Sequence, residues 1–189
     1  MADSLERVVV WKSLLINGTD HCAVWHTAEG WLLRGTAIGV LKDQRPILAQ
    51  YEIHCDSNWL THWVQVENTI GKDTKTLTLT VESRGGWRCS GEELSDLRGC
   101  DHVDLAVTPA TNTLPIRRLD LQIGHSKSVV AACITFPELE IRPLSQRYTR
   151  LAKNTYRYES DTGSPAEIVV DDFGLVTTYP GGWERIAGA

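Results

Sequence analysis

Apolar and polar side chains alternate with a period of two residues along much of this chain, and this alternation constrains the fold more than any other feature. In residues 47–55 the odd positions carry Ile, Ala, Tyr, Ile and Cys, whereas the even positions carry Leu, Gln, Glu and His. Successive side chains of a β-strand point to opposite faces, so the pattern predicts a strand that is buried on one side. Residues 60–70 and 74–82 predict two more strands, with a hairpin turn at residues 71–73.

Further short strands are predicted at regular intervals. They fall at residues 23–27, 31–41, 87–90, 103–107, 129–136, 146–151, 155–159, 168–171 and 175–179. Asn17 and Gly18 are predicted to form a turn, because both residue types tolerate a positive φ. Helix is predicted only at residues 91–97 and 114–121. The pattern indicates an all-β, mainly antiparallel fold in a single domain over residues 1–189, arranged as a barrel, a sandwich or a rolled sheet.

Charge and hydropathy argue against two classes of partner. The chain has 19 Lys and Arg residues against 24 Asp and Glu residues, a net charge of −5. Nucleic-acid binding needs clustered excess cations, so no nucleic-acid partner is predicted. The longest apolar run, at residues 129–134, is far shorter than the ~20 residues of a membrane-spanning helix, so no transmembrane segment is predicted.

The first residues and the cysteines give indications of the cellular compartment. Residues 1–6 are acidic, and they lack the basic start and apolar centre of an export signal. The five cysteines are scattered, odd in number and without a C-x-x-C pair, which is typical of reduced thiols. We therefore expect a soluble protein in the cytoplasm.

The motifs of common enzyme classes give little support to catalysis. Neither G-x-G-x-x-G nor G-x-x-x-x-G-K occurs, so no nucleotide cofactor is predicted. Cys22 and His26 would lie about 13 Å apart on one face of a strand, too far for one metal ion, and no metal site is predicted. Glu52 and Glu67, in successive strands, leave open a hydrolase that acts on a lipid or sugar conjugate through paired carboxylates. A protein-interaction module that uses an exposed sheet edge is a third alternative.

Tryptophan is unusually frequent in this chain. Seven Trp residues stand against two Phe. An indole ring buries an apolar face while its N–H donates a hydrogen bond, so Trp suits either a β-sheet core or the wall of a cavity for lipid tails and sugar faces. The candidate ligand-lining rings are Trp31, Trp59, Trp63 and Trp87.

Residues 107–121 form the most distinctive segment. Two prolines bracket Thr-Asn-Thr, and the adjacent Arg117 and Arg118 follow. Adjacent side chains diverge, so one Arg is expected to face solvent while the other reaches inward to a scaffold carboxylate or to an anionic head group. Asn112, Arg117, Arg118 and Tyr148 are the candidate head-group residues.

Four blocks of sequence carry a family resemblance. They read TNTLPIRRLDL at residues 111–121, FPELEIRPLSQRYTRL at 136–151, YRYES at 156–160 and DDFGLVTTYPGGWER at 171–185. In this order the chain resembles the bacterial family named "putative glycolipid-binding". The resemblance implies a single-domain spiral β-roll with little helix, similar to periplasmic carriers of lipoproteins. It also implies a non-catalytic binding or carrier protein for an amphipathic ligand such as a glycolipid, with the tail inside the roll and the head at its mouth.

Overall fold

The computed structural model describes residues 3–82 and 85–188, which form one 15-stranded sheet with little helix. The strands are β1 (Ser4–Ser13), β2 (Asn17–Thr27), β3 (Gly30–Val40), β4 (Pro46–Cys55), β5 (Thr61–Ile70), β6 (Asp73–Val81), β7 (Trp87–Cys89), β8 (Glu92–Glu93), β9 (His102–Leu105), β10 (Ser126–Ile134), β11 (Ile141–Ala152), β12 (Thr155–Ser160), β13 (Gly163–Val170), β14 (Val176–Tyr179) and β15 (Trp183–Gly188). One α-helix, α1 (Thr113–Leu119), follows a 3₁₀ turn at Ala110–Asn112, and a second 3₁₀ turn spans Ser95–Leu97.

The sheet is a roll. Its spatial order is β8 through β1, then β15 down to β9, so β1 lies between β2 and β15. Neighbouring strands are antiparallel apart from the parallel pair β9 and β10. The sheet coils until β9 meets the start of β5, where the Val103 amide donates to Thr61 Oγ1 at 3.2 Å and the Thr61 amide donates to the Asp101 carbonyl at 3.3 Å. The prediction of an all-β, mainly antiparallel roll is confirmed.

The predicted alternation defines the inner face of the roll. Along β4 the odd positions are buried: Ile47, Ala49, Tyr51, Ile53 and Cys55. Tyr51, Ile53 and Cys55 pack with inward side chains of other strands into one large core. The even positions of β4 face outward. A shift of one residue in the strand pairing would therefore move the buried side chains to the outer surface.

The helical segment fills part of the interior. Thr113, Leu114, Pro115 and Ile116 are all buried, and Leu114 belongs to the same core as the inward residues of β4. The helix predicted at residues 114–121 is confirmed, although it begins and ends slightly earlier. No helix in the described ranges is both long and apolar enough to cross a membrane.

The sequence predictions fail at three places. β1 and β15 were not predicted, because Val8, Val9 and Val10 interrupt the alternation in β1, whereas in β15 the apolar Ile186 is exposed and Arg185 is largely buried. The turn predicted at Asn17 and Gly18 is wrong, because both residues belong to β2. Gly18 pairs with Gly39, and a Cβ atom at Gly18 would approach the Ile38 carbonyl to 2.6 Å, so glycine permits close strand approach here. The helix predicted at residues 91–97 is only the two-residue β8 and a 3₁₀ turn.

Candidate ligand-binding site

A tight turn between β4 and β5 positions Trp59. One carboxylate oxygen of Asp56, Oδ1, accepts hydrogen bonds from the amides of Asn58 at 2.8 Å and Leu60 at 2.9 Å. The Trp59 amide donates to the Asp56 carbonyl at 3.0 Å. These bonds hold Trp59 at φ 66°, a left-handed conformation that is strained for a bulky residue.

A second turn, between β13 and β14, has the same hydrogen-bond pattern. Asp171 Oδ1 accepts from the amides of Phe173 at 3.0 Å and Leu175 at 2.9 Å, and the Gly174 amide donates to the Asp171 carbonyl at 3.0 Å. Gly174 occupies the positive-φ position at 97°. Arg185 donates to the second carboxylate oxygen of Asp171 at 2.5 Å and anchors the turn. Both turns therefore project an aromatic side chain, Trp59 from one and Phe173 from the other.

Three aromatic rings from distant segments meet at these turns. Trp31, at the start of β3, stacks on Trp59 with ring centroids 4.4 Å apart and an interplanar angle of 16°. Phe173 presents its ring at a steep angle to both, at 5.6 Å from Trp31 and 5.9 Å from Trp59. We call Trp31, Trp59 and Phe173 the aromatic cluster. Such ring pairs contribute roughly 0.5–1.5 kcal/mol each beyond the burial of apolar area.

Two arginines lie over the aromatic cluster. The Arg117 guanidinium, on the last turn of α1, is 5.5 Å from the Trp59 ring centroid and 5.2 Å from that of Phe173. Arg7 lies 4.9 Å from the Phe173 centroid. Gly174 leaves room for this packing, because a Cβ atom there would lie 3.2 Å from Arg117 Cδ. The cation–π geometry fixes Arg117 against the rings while its side chain stays exposed.

Arg117 also lies between two cavities. The first, of about 350 Å³, is lined by buried Ile116, Tyr156, Val170 and Phe173 and by polar Asp120, Arg150, Lys153, Asn154, Asp171 and Asp172. The second, of about 520 Å³, is lined by Ser57, Asn58, Trp59, Arg118, Leu119 and Lys127. Arg117 lines both. We call the aromatic cluster, Arg117 and these two cavities the Arg117 site.

Four of the charged side chains that line the Arg117 site are already in ion pairs: Arg118, Lys153, Asp171 and Asp172. Arg118 contacts Asp101, a partly exposed carboxylate of the scaffold, at 3.1 Å, and it lines the second cavity together with Arg117. Lys153 contacts Asp172 at 2.9 Å. The hydrogen bond from Asn154 and the contact with Lys153 lower the pKa of Asp172. Among the described residues Arg117 has no ion-pair partner, and its charge is available to a ligand.

Two other predicted residues belong to a buried polar network. The Tyr148 hydroxyl donates to Asn112 Oδ1 at 3.0 Å and lies 3.3 Å from Gln146 Oε1. Gln146 in turn donates to Asp104 at 2.6 Å, and burial raises the pKa of Asp104. The structure thus brings Asn112 and Tyr148 together, but neither lines the two cavities of the Arg117 site.

The remaining predicted tryptophans lie elsewhere. Trp87 is fully buried in the core, and its indole N–H donates to the Cys100 carbonyl at 2.9 Å. Trp63 lies on the outer face of β5, with its ring edge-on to His54 at a centroid distance of 5.0 Å. Neither residue lines the Arg117 site.

The carboxylates considered for catalysis, Glu52 and Glu67, are diagonal neighbours on the outer face of β4 and β5, and neither lines a cavity of the Arg117 site. Glu52 is paired with Arg34 at 2.8 Å and with His54 at 2.7 Å on the outer face of β4. In the register of β4 and β5, Glu52 lies opposite Gln65, whereas Glu67 lies opposite Gln50. Within residues 3–82 and 85–188, no group of three or more His, Cys, Asp and Glu side chains is placed to hold a metal ion.

Sequence reasoning missed Phe173, Arg7 and the turn aspartates. The signal for the turns is present, because DSNWL at residues 56–60 and DDFGL at residues 171–175 share an Asp and a Leu four positions apart. An Asp side chain readily accepts hydrogen bonds from the backbone amides that follow it. The paired motif therefore marks the two turns that build the aromatic cluster.

The turn at Asp56 gives a direct test of how the aromatic cluster is held. Asp56→Ala removes the acceptor of two amides, so we expect a loss of roughly 1–3 kcal/mol in the free energy of unfolding. We also expect a weaker near-ultraviolet circular dichroism signal from the stacked Trp31 and Trp59. Ser57→Ala, in the same turn, is the control and should leave both measurements unchanged. An unchanged Trp signal in Asp56→Ala would contradict this role.

The fold and the site together define the class of protein: it is a rolled β-sheet protein that has a surface site of aromatic rings and cationic side chains. The chain belongs to the family described as "Putative glycolipid-binding", whose sequence model matches residues 8–185. No curated protein matches the chain.

Two solved structures are similar to it. A crystal structure of a DUF1089 family protein from Pseudomonas aeruginosa has 31% identity and a TM-score of 0.80, covering 88% of this chain and 92% of that one. A beta-barrel-like protein of the domain of unknown function DUF1849 from Brucella abortus has 9% identity and a TM-score of 0.55, covering 97% of each chain. The second likeness concerns the fold alone.

Proposed function

We propose that this protein is a non-catalytic binding protein for an amphipathic glycolipid, and that the head group binds at the Arg117 site. The observation that carries the proposal is the position of Arg117, which rests on Trp59 and Phe173 between two cavities and has no ion-pair partner among the described residues. The family described as "Putative glycolipid-binding" supports a ligand of this kind.

The chemistry of the lining suits a sugar. Hydroxyl groups need donors and acceptors in fixed positions, and Asp120, Asn154 and Asp172 supply them around the first cavity. The apolar face of a sugar ring packs on aromatic side chains, and Tyr156 and Phe173 line the same space. Cavities of about 350 and 520 Å³ fall within the range of roughly 300–1,000 Å³ that is usual for small-molecule sites.

The charges favour an acidic head group. The second cavity is lined by Arg117, Arg118 and Lys127 and by no carboxylate among the described residues of its lining, although the whole chain carries a charge of −5. In the first cavity Arg150 and Lys153 lie beside Asp120, Asp171 and Asp172. A local excess of cations on an acidic protein attracts anions, and Arg binds phosphate or carboxylate through paired N–H donors. The apolar end of the ligand then packs against buried Ile116 and Val170 in the first cavity.

Arg117→Ala is the first test. We expect it to weaken binding of an alkyl glycoside phosphate roughly tenfold or more, because one charge-assisted contact contributes about 1.5–3 kcal/mol. Binding is measured by calorimetric titration and by Trp fluorescence, which the Trp31–Trp59 stack should make sensitive to this site. Native mass spectrometry of protein purified without detergent checks for a co-purified glycolipid.

Arg34→Ala is the matched control. Arg34 is also exposed, but it lies on the outer face of β3 and pairs with Glu52. Its replacement should leave the affinity unchanged. Equal affinities of the wild type and Arg117→Ala would overturn the placement of the head group, and flat fluorescence with no bound lipid would overturn the function.

A further inference from the structure

The largest cavity described on the surface of the sheet is an apolar groove at the far end of β3. It has a volume of about 710 Å³, and strands β1 to β5 and β15 line it. Ile38, Leu48 and Ile186 are its main apolar side chains, and Lys12 is the one charged residue among the described residues of its lining. We call this cavity the outer groove.

The outer groove is an apolar region next to polar side chains on the outer face of the sheet. Ile38 and Leu48 are paired in register, and the outward positions two residues away on the same strands are Thr36 and Gln50. Ile38 remains 53% exposed and Ile186 55% exposed. Exposed apolar side chains that line one concave space are typical of a binding site.

We infer that the outer groove binds the alkyl chain of a single-chain anionic amphiphile, whose head group contacts Lys12. The lining has the composition of a small-molecule site, which is mostly apolar with a few polar groups. Glu184 lies opposite Lys12 in the register of β1 and β15, yet Lys12 is in no ion pair among the described residues. Its charge therefore complements an anion at the mouth of the groove.

This site goes beyond the proposed function, because it is separate from the Arg117 site. Ile38 lies seven residues from Trp31 along β3, which corresponds to about 23 Å at ~3.3 Å per residue. The two sites have no lining residue in common. Each therefore responds to its own substitutions.

The test uses dodecanoate below its micelle concentration, with dodecyltrimethylammonium as a probe of equal chain length and opposite charge. Calorimetric titration should show that the wild type binds dodecanoate more tightly than the cationic probe. Ile38→Glu should weaken dodecanoate binding roughly tenfold or more. Thr36→Glu is the matched control on the same strand and face, and should leave the affinity unchanged. Lys12→Gln should remove the preference for the anion.

Three results would overturn the inference. The first is a wild type that does not bind dodecanoate, and the second is equal weakening by Ile38→Glu and Thr36→Glu. The third is a wild-type dimer, seen in sedimentation, that Ile38→Glu dissociates, since a second copy would then cover the groove. The same effects of Ile38→Glu and Thr36→Glu on dodecanoate binding are expected in an Arg117→Ala background, where the anion site at Arg117 is removed, so failure at the outer groove is distinguishable from failure at the Arg117 site.

Discussion

Trp87→Ala is expected to lower the free energy of unfolding by about 3–5 kcal/mol, the usual loss for a large aromatic side chain removed from a core. Trp87 is fully buried, and its indole N–H donates to the Cys100 carbonyl, so the substitution leaves both a cavity and an unpaired acceptor. The measurement is equilibrium unfolding in urea, followed by circular dichroism.

Trp63→Ala is the matched control for this prediction. Trp63 is on the outer face of β5 and is only partly buried, so its removal should lower the free energy of unfolding by only about 1 kcal/mol. Equal losses for the two variants would contradict the register that places Trp87 inside the roll and Trp63 outside.

Asp20 is expected to make stability fall as pH rises. It is fully buried and accepts hydrogen bonds from Thr108 at 2.5 Å and from Tyr51 at 3.0 Å. Burial raises the pKa of Asp20 from 3.8 to about 6, more than these hydrogen bonds lower it. The folded state therefore holds this proton more tightly than the unfolded chain does, and its contribution to stability is full below about pH 4 and is lost as pH rises through about 6.

The comparison of wild type with Asp20→Asn isolates this contribution from those of other titrating groups. Between pH 4 and 7 the stability of the wild type relative to the variant should fall by roughly 3 kcal/mol, since one pKa unit corresponds to about 1.4 kcal/mol. Urea unfolding at several pH values measures the difference. A difference that stays constant over this range would mean that the pKa of Asp20 is not raised.

The fold was predictable where local pattern alone decides it. Residues 47–55 alternate cleanly, and β4 has almost the predicted bounds. β1 was not predictable in this way, because its pairing with β15 joins residues at least 170 positions apart and its three consecutive valines carry no alternation. A strand of that kind is specified by its neighbours in the sheet rather than by its own sequence.

The candidate site was predictable only in part, because contacts between distant segments of the chain decide its arrangement. Trp59 and Arg117 were identified from residue type, and the structure places them in contact. Whether a given Trp faces inward depends on strand register, which is why Trp63 and Trp87, equally eligible by composition, lie on opposite sides of the sheet. Phe173 belongs to a turn whose partner turn lies more than 100 residues away, and the Asp and Leu that the two turns share mark each turn without showing that the two meet.

The place of β1 beside β15 makes the polypeptide a circular permutation of a simple up-and-down order. Starting from β9, the strands follow in chain order to β15 and then continue from β1 to β8. In the described sheet, the ladder between residues 9–13 and 183–188 is the only strand pairing that connects these two runs. During synthesis one edge of β1 stays unpaired until residues 183–188 emerge from the ribosome, and such an edge invites pairing with other chains. This short ladder therefore joins the two half-sheets along one side, and the contact of β9 with β5 closes the roll along the other.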